Sequence, residues 1–252
     1  MDHVLLRQFH AGEVFSIDHP ASESLSTLQE MPVREKAKLR LIKGHYVYGL
    51  HELVSRQGTY FTLLRNPISR LISYYYYARR NPDHYLHHLI HTENLDLSDL
   101  IHRSLTLELD NDQVRRISGV GDTVKFGGCT TEMLELAKKN LVDEFAVSGL
   151  TERFDESLLL LRDVFGWKNV FYVRKNVAKS RPRRTALPES QLVSIRKANA
   201  LDVQLYDWAR EHFERQVQRL DSLQRKLIIF RTLNSLYTRL YWSKALIRKV
   251  QV

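Results

Sequence analysis

The most informative run of residues is TYFTLLRNPISRLISYYYY, at positions 59–77. Its first six residues are rich in β-forming side chains and continuously apolar in character, which is typical of a strand buried on both faces of a sheet. The strand ends before Arg65, and Pro67 suits the first turn of a helix, where a missing N–H costs nothing. Apolar side chains then repeat at helical spacing as far as Arg80. The run therefore predicts a buried strand followed directly by a helix.

The rest of the chain alternates between strand-like and helix-like segments. Further strands are predicted at residues 41–46, 144–149 and 169–173. Helices are predicted at residues 30–40, 131–140 and 151–165, and a long one from Pro188 to Phe213. Such alternation implies parallel strands joined by right-handed crossovers. We therefore predict an α/β fold with a parallel central sheet.

Arg65 and Ser73 are the residues of this run suited to binding an anion. Open α/β sheets bind their ligands at the carboxyl ends of the strands, which is where Arg65 falls. The free N–H groups and positive dipole end of the following helix favour an anion there. Ser73 lies about two helical turns after Arg65, so a guanidinium and a hydroxyl can converge on one phosphate. The structural alternative is a helix cap with an ion pair, but the order strand, arginine, proline, helix favours the anion site.

This run resembles the 3′-phosphate-binding motif of sulfotransferases that use 3′-phosphoadenosine 5′-phosphosulfate (PAPS). Its pattern, Arg-x-Pro-x-x-Arg-Leu-x-Ser-Tyr-Tyr-Tyr from Arg65 onward, is most similar to that of the heparan sulfate 2-O-sulfotransferase group. Residues 137–145 and 149–152 resemble the fourth-strand region of that family, and the basic loop at residues 174–184 resembles its cofactor-covering loop. The resemblance implies a P-loop-NTPase-like three-layer sandwich with a parallel central sheet, followed by C-terminal helices.

The resemblance also implies roles for particular residues. Arg65 and Ser73 would bind the 3′-phosphate of PAPS, which is the co-substrate. In the basic loop, Ser180, Arg183 and Arg184 are further nucleotide-binding candidates. The acceptor would be a hydroxyl group of a carbohydrate, and the reaction in this family needs no metal.

His45 is the predicted catalytic base. Sulfuryl transfer requires a group that takes the proton from the attacking hydroxyl, and histidine exchanges a proton near neutral pH. The segment Lys43-Gly44-His45-Tyr46 resembles the Gly-His segment that carries the catalytic histidine of the family. Two alternatives stay open: Lys43 neutralises the leaving group where relatives have a second histidine, and Glu52 acts as the base instead.

One part of the family pattern is not found in the sequence. The family begins with a strand and a Pro-Lys-Thr-Gly-like loop that cradles the 5′-phosphosulfate, whereas this chain begins with what resembles the helix after that loop. We expect either a start that lies upstream or a degenerate relative, and the intact motifs favour the first. As given, the chain is expected to be impaired in sulfuryl transfer.

Composition limits the partners and the location. The chain has 252 residues and a formal net charge of +9, which favours anionic partners. Cys129 is the only cysteine, so no intrachain disulfide is possible. We interpret it as a small residue in a turn. No run of about 18 apolar residues or signal peptide is found, so a cytoplasmic protein is expected.

Two regions are predicted along the chain. Residues 1–219 form the sulfotransferase-like domain without its N-terminal loop, and residues 220–252 form a basic amphipathic helical tail. The tail packs on the domain, associates with another copy, or lies on a membrane surface. Residues 109–116 either line the acceptor side or are simply a polar helix end.

Three functions are compatible with these features. The first is a PAPS-dependent carbohydrate sulfotransferase. The second is a non-catalytic anion- or glycan-binding protein with the same fold, which would bind without turnover. The third is nucleic-acid binding through net charge, which no recognition motif supports and which would show steep salt dependence without sequence preference.

Overall fold

The computed structural model describes residues 1–18, 21–54, 56–174 and 187–250, without the side chains of residues 122 and 244–250. The strands are β1 (Val14–Ile17), β2 (Leu41–Gly44), β3 (Tyr60–Leu64) and β4 (Phe145–Leu150). The helices are α1 (Asp2–Leu5), α2 (Ala21–Glu30), α3 (Val33–Lys36), α4 (Pro67–Arg80), α5 (His87–Thr92), α6 (Leu97–His102), α7 (Asp112–Ser118), α8 (Thr131–Asp143), α9 (Phe154–Phe165), α10 (Glu189–Ala198), α11 (Ala200–Val217) and α12 (Leu223–Val250). The predicted α/β class with parallel strands is confirmed.

The strands form two parallel pairs. β1 pairs with β2, and β3 pairs with β4 with a register shift between Tyr60 and Phe61. Gly149 on β4 leaves room for side chains of β3 and α9: a Cβ there would lie 2.5 Å from Cδ2 of Leu63 and 2.9 Å from the Ser157 side chain. Strand β1 was not predicted from the sequence.

The predicted strand at residues 169–173 is wrong, because its backbone groups bond to side chains instead of another strand. The N–H of Tyr172 donates to Oδ1 of Asn234 at 2.7 Å. The carbonyl of Tyr172 accepts from the Thr238 hydroxyl at 3.4 Å, and the carbonyl of Phe171 accepts from the Arg7 guanidinium. Arg7, in the turn after α1, and helix α12 therefore satisfy the polar groups that a strand would offer to a sheet.

The predicted long helix from Pro188 is divided at Asn199 into α10 and α11. Asn199 is buried, and its side-chain amide donates to the carbonyl of Leu109 at 2.9 Å. The predicted helix at residues 30–40 is also wrong, since α2 ends at Glu30 and, after it, only the four residues of α3 are helical in that range.

The apolar side chains form two clusters. The first surrounds β3 and β4 and contains residues of α8, α9 and α11 together with Leu227 and Phe230 of α12. The second lies between α4, α5, α6 and α10. The β3–α4 connection that carries Arg65 passes from the first cluster to the second, so both of its sides are supported by packed core. None of the described helices is long and apolar enough to span a bilayer.

Candidate functional site

The site is centred on the turn between β3 and α4. Asn66 caps α4, with its side-chain oxygen accepting the N–H of Ser69 at 3.1 Å, and Pro67 occupies the first helical position. This places Arg65 at the carboxyl end of β3, as predicted, with its side chain neither fully buried nor fully exposed. The local sequence explains where α4 begins, because a capping asparagine followed by proline favours the start of a helix.

The backbone of Arg65 is held by the buried side chain of Gln113. The N–H of Arg65 donates to Oε1 of Gln113 at 2.8 Å, and Nε2 of Gln113 donates to the Arg65 carbonyl at 2.9 Å. Gln113 lies in the first turn of α7, whose N–H groups at Gln113 and Val114 donate to the buried Asp202 carboxylate at 3.1 and 2.8 Å. Arg65 is therefore positioned through α7 by a residue of α11.

The carboxyl end of β4 is joined to the same turn by Glu152. Oε1 of Glu152 accepts the N–H of Asn66 at 2.9 Å, and Oε2 accepts the hydroxyl of Tyr206 at 2.9 Å. Burial, and then the bond to Glu152, raise the pKa of Tyr206, so it remains a hydrogen-bond donor. The ends of two neighbouring parallel strands thus meet at one place, where α/β folds bind their ligands.

The prediction that free N–H groups of the helix bind the anion needs correction. The N–H groups of Arg65 and Asn66 donate to Gln113 and Glu152, that of Ser69 donates to the cap, and Pro67 has none. The turn therefore offers few backbone donors to a ligand. An anion here would depend on side chains, and on Arg65 above all.

Ser73 lies on α4 two turns after Arg65 and is partly exposed. Its hydroxyl has no hydrogen-bond partner among the described residues, so it can donate to a ligand. The neighbouring tyrosines have structural roles: the Tyr75 hydroxyl donates to the carbonyl of Leu95 at 2.9 Å, and the hydroxyls of Tyr74 and Tyr85 are 2.7 Å apart. Burial is the main cause of the raised pKa of both Tyr74 and Tyr75.

Residues 109–116 are mostly buried and support the site from within. Arg115 and Asp110 form a buried ion pair, and Arg115 also donates to the carbonyls of Gly121 and Lys125 at 2.9 and 2.8 Å. Asp112 accepts from Arg70 at 3.1 Å. These contacts favour the interpretation of this segment as a polar helix end, most of which is buried, and a role on the acceptor side stays a prediction.

His45 lies directly after β2 and is exposed. At Gly44 a Cβ would lie 2.6 Å from the carbonyl oxygen of Ile17, so only glycine allows the ends of β1 and β2 to approach in this way. Three residues after His45, the N–H of Tyr48 donates to the carbonyl of Arg116 at 2.7 Å. The loop that carries His45 is therefore fixed to α7, the helix that also holds Arg65.

The structure does not bring His45 into bonding contact with Arg65 or Ser73 within the described part of the chain. Of the two alternative residues, Lys43 lies 3.3 Å from Oδ1 of Asp2, and Glu52 is exposed. Lys43 therefore has an acidic partner on α1. Ser180, Arg183 and Arg184 lie outside the described residues.

The surroundings of Cys129 do not favour a reactive thiolate. Burial, and then the nearby Asp110 carboxylate, raise the pKa of its thiol to about 11. A reactive cysteine needs a lowered pKa, so the interpretation of Cys129 as a small residue in a turn is consistent with its surroundings. Among the described side chains, no group of three His, Cys, Asp or Glu is arranged to hold a metal ion.

Fold and site together define a parallel α/β protein with an arginine-bearing strand end suited to a phosphate group. Comparison with known proteins narrows this class: residues 126–240 match the family model of galactose-3-O-sulfotransferase. The predicted relationship to sulfotransferases is confirmed. The matched residues run from just before α8 into α12 and do not include His45, Arg65 or Ser73, whose roles stay predictions.

Individual relatives agree with the family model. The chain is 29% identical over 185 residues to galactose-3-O-sulfotransferase 3 of Mus musculus, covering 68% of this chain and 41% of that protein. It is 30% identical over 183 residues to the Bos taurus protein of the same name, covering 67% and 40%. It is also 28% identical over 175 residues to heparin sulfate O-sulfotransferase of Drosophila melanogaster, covering 64% and 50%. The chain thus spans no more than half the length of these curated relatives.

Proposed function

We propose that this protein is a carbohydrate sulfotransferase, which transfers a sulfuryl group from PAPS to a hydroxyl of a sugar. The observation that carries the proposal is the fixed position of Arg65 at the carboxyl end of β3, in a chain related to sulfotransferases that act on glycans. We further infer that the parallel strands belong to a P-loop-like three-layer sandwich.

Arg65 and Ser73 would hold the 3′-phosphate of the nucleotide. A guanidinium offers a planar pair of donors to a phosphate. The backbone of Arg65 is already fixed by Gln113, so the backbone itself loses little conformational entropy on binding. The Ser73 hydroxyl adds a neutral donor on the same helix. Ser180, Arg183 and Arg184 remain proposed contacts from the basic loop.

His45 would accept the proton of the acceptor hydroxyl. PAPS supplies the sulfuryl group, and the chain's own task is to bind the nucleotide, orient the acceptor and remove that proton. The exposed position of His45 after β2 leaves it accessible to a sugar hydroxyl. Because no described contact joins His45 to Arg65, the acceptor and the nucleotide would have to bridge the distance between them.

The test is transfer of labelled sulfuryl from PAPS to a β-galactoside and, separately, to heparan sulfate by the chain extended upstream with a 5′-phosphosulfate loop, because the 252-residue chain is expected to be impaired. We expect one of these acceptors to be labelled, and His45→Ala to lower kcat by about 10²- to 10⁴-fold, the usual contribution of a general base, with unchanged affinity for the nucleotide. His88→Ala, an exposed histidine on α5, is the matched control and should retain full activity.

Nucleotide binding without any turnover, even after the upstream segment is restored, would select the non-catalytic alternative, a protein that binds anionic glycans or nucleotides through the same site. Equal loss of activity in the His45 and His88 variants would remove His45 from the proposed mechanism.

A further inference from the structure

One side of helix α12 packs against the rest of the protein, and another side is exposed. Leu227 and Phe230 are buried in the first apolar cluster, and Asn234 and Thr238 bond to the backbone of Tyr172. Of the fifteen large apolar side chains that are exposed in the described chain, six lie on α12: Ile228, Ile229, Leu233, Leu236, Leu240 and Trp242. This concentration on a single helix needs a physical explanation.

Four of these residues form a continuous stripe. Ile229, Leu233, Leu236 and Leu240 are separated by four, three and four positions, so at 3.6 residues per turn they lie within about 60° of each other around the helix. Each is between 44% and 62% exposed. The residues that face the protein lie on the other side, so the apolar stripe is not part of the core.

The charge of α12 is of one sign. Its sequence contains seven lysines and arginines and no aspartate or glutamate over Leu223–Val250. Arg225 and Lys226 lie on the two borders of the apolar stripe at its first turn, and Arg239 lies beside its far end. An apolar stripe bordered only by positive charge is the pattern of helices that lie at the surface of anionic membranes.

A second copy of the chain is the main competing partner. The spacing of the stripe would suit a helix pair, but a pair would place two helices side by side that each carry seven positive charges and no negative ones. The net charge of +9 adds to this repulsion. Charge complementarity therefore selects an anionic lipid surface over another α12.

We propose that α12 docks on anionic lipid bilayers, with the stripe of Ile229, Leu233, Leu236 and Leu240 among the acyl chains and the bordering lysine and arginines among the headgroups. The helix lies along the surface and does not cross it. The proposal is independent of the sulfotransferase activity.

The experiment is co-sedimentation of the whole 252-residue chain with phosphatidylcholine vesicles that contain about 30% phosphatidylserine, a strongly anionic surface, or none. We expect binding to the anionic vesicles that weakens as salt is added. The double substitution Leu233→Glu, Leu240→Glu should lower the partition coefficient at least about tenfold, since it removes two apolar anchors and places negative charge at the surface.

The matched control is Val142→Glu, Val193→Glu. These valines are 56% and 53% exposed on α8 and α10, so the control changes net charge by the same amount at positions of similar exposure. It should change the partition coefficient less than about twofold, because neither residue contacts the bilayer.

Three results would overturn the proposal: no binding of the folded chain to anionic vesicles, an equal loss in both double variants, or a dimer in light scattering that the Leu233→Glu, Leu240→Glu change dissociates while vesicle binding is unaffected. The last result would assign the stripe to a second copy.

Discussion

The position of Arg65 was predicted from the sequence, but the residues that hold it in place were not. The strand, the arginine and the proline are adjacent, so the position of Arg65 follows from local rules. Gln113 lies 48 positions further along the chain, and Asp202 lies 89 positions beyond Gln113. A single sequence contains no signal that joins them, because a buried polar residue is recognised only once its partners are known.

Asp202 gives a test at the same scale. Its carboxylate is fully buried between the first turns of α7 and α11. Burial raises its pKa to about 6, although the charge of Arg70 and the N–H groups of Val114 and Gln113 act in the opposite direction. The native protein therefore holds this proton more tightly than the unfolded chain, in which the pKa is about 4.

The pH dependence follows from linkage. A raised pKa in the native state contributes stability that is fully present below about pH 4 and is lost as pH rises through about 6. We expect the difference in unfolding free energy between the wild type and Asp202→Asn to shrink by about 2 kcal/mol over that interval. Urea denaturation at several pH values measures this difference.

The control for this test is Asp207→Asn, an exposed aspartate on the same helix. The difference in unfolding free energy between Asp207→Asn and the wild type should change little over the same pH range, because an exposed ion pair contributes little to stability. If the difference in unfolding free energy between the wild type and Asp202→Asn stays constant between pH 4 and pH 6, the pKa assigned to Asp202 is contradicted.

At the scale of elements, the predictions succeeded where the signal was local. Helices α4, α8 and α9 and strands β2, β3 and β4 were found because periodicity, caps and breakers lie within each segment. Strand β1 was missed because four residues in a polar region carry too little pattern. The segment at residues 169–173 has strand composition, but Asn234, Thr238 and Arg7 take its backbone bonds, and these residues lie far from it in the sequence.

The attachment of α12 provides the test for this scale. Phe230 is buried and its ring stacks on Phe171 with 5.6 Å between centroids. Phe230→Ala should lower the unfolding free energy by about 3 kcal/mol or more, as for other buried phenylalanines, in one cooperative transition. Leu236→Ala, at an exposed position on the same helix, should change it by less than about 0.5 kcal/mol.

Thermal or chemical unfolding, monitored by circular dichroism, measures the unfolding free energy of both variants and shows whether they unfold in one transition. If Phe230→Ala instead unfolds α12 in a separate early transition, the helix is an independent tail, as the division at residue 220 predicts.

At the scale of the whole molecule, sequence patterns predicted the α/β fold class and the relationship to sulfotransferases, but not how the strands pair or how the core is divided. The α/β class follows from alternation of elements, and the relationship to sulfotransferases is supported by residues 126–240. The two separate strand pairs and the division of the core were not predictable, because pairing depends on contacts between distant segments. The site residues Arg65 and Ser73 lie outside the matched region, so their role depends on the motif and on the geometry of the β3–α4 turn.

The most direct measurement is calorimetric titration of 3′-phosphoadenosine 5′-phosphate into the 252-residue chain and into the variants Arg65→Ala and Arg80→Ala. Arg80 lies on the same helix as the motif but is exposed at its far end. We predict binding by the wild type, unchanged affinity in Arg80→Ala, and a loss of at least about tenfold in Arg65→Ala, as expected for one charge-assisted phosphate contact. No binding by the folded chain, or an equal loss in both variants, would contradict the assignment of the β3–α4 turn as the nucleotide site.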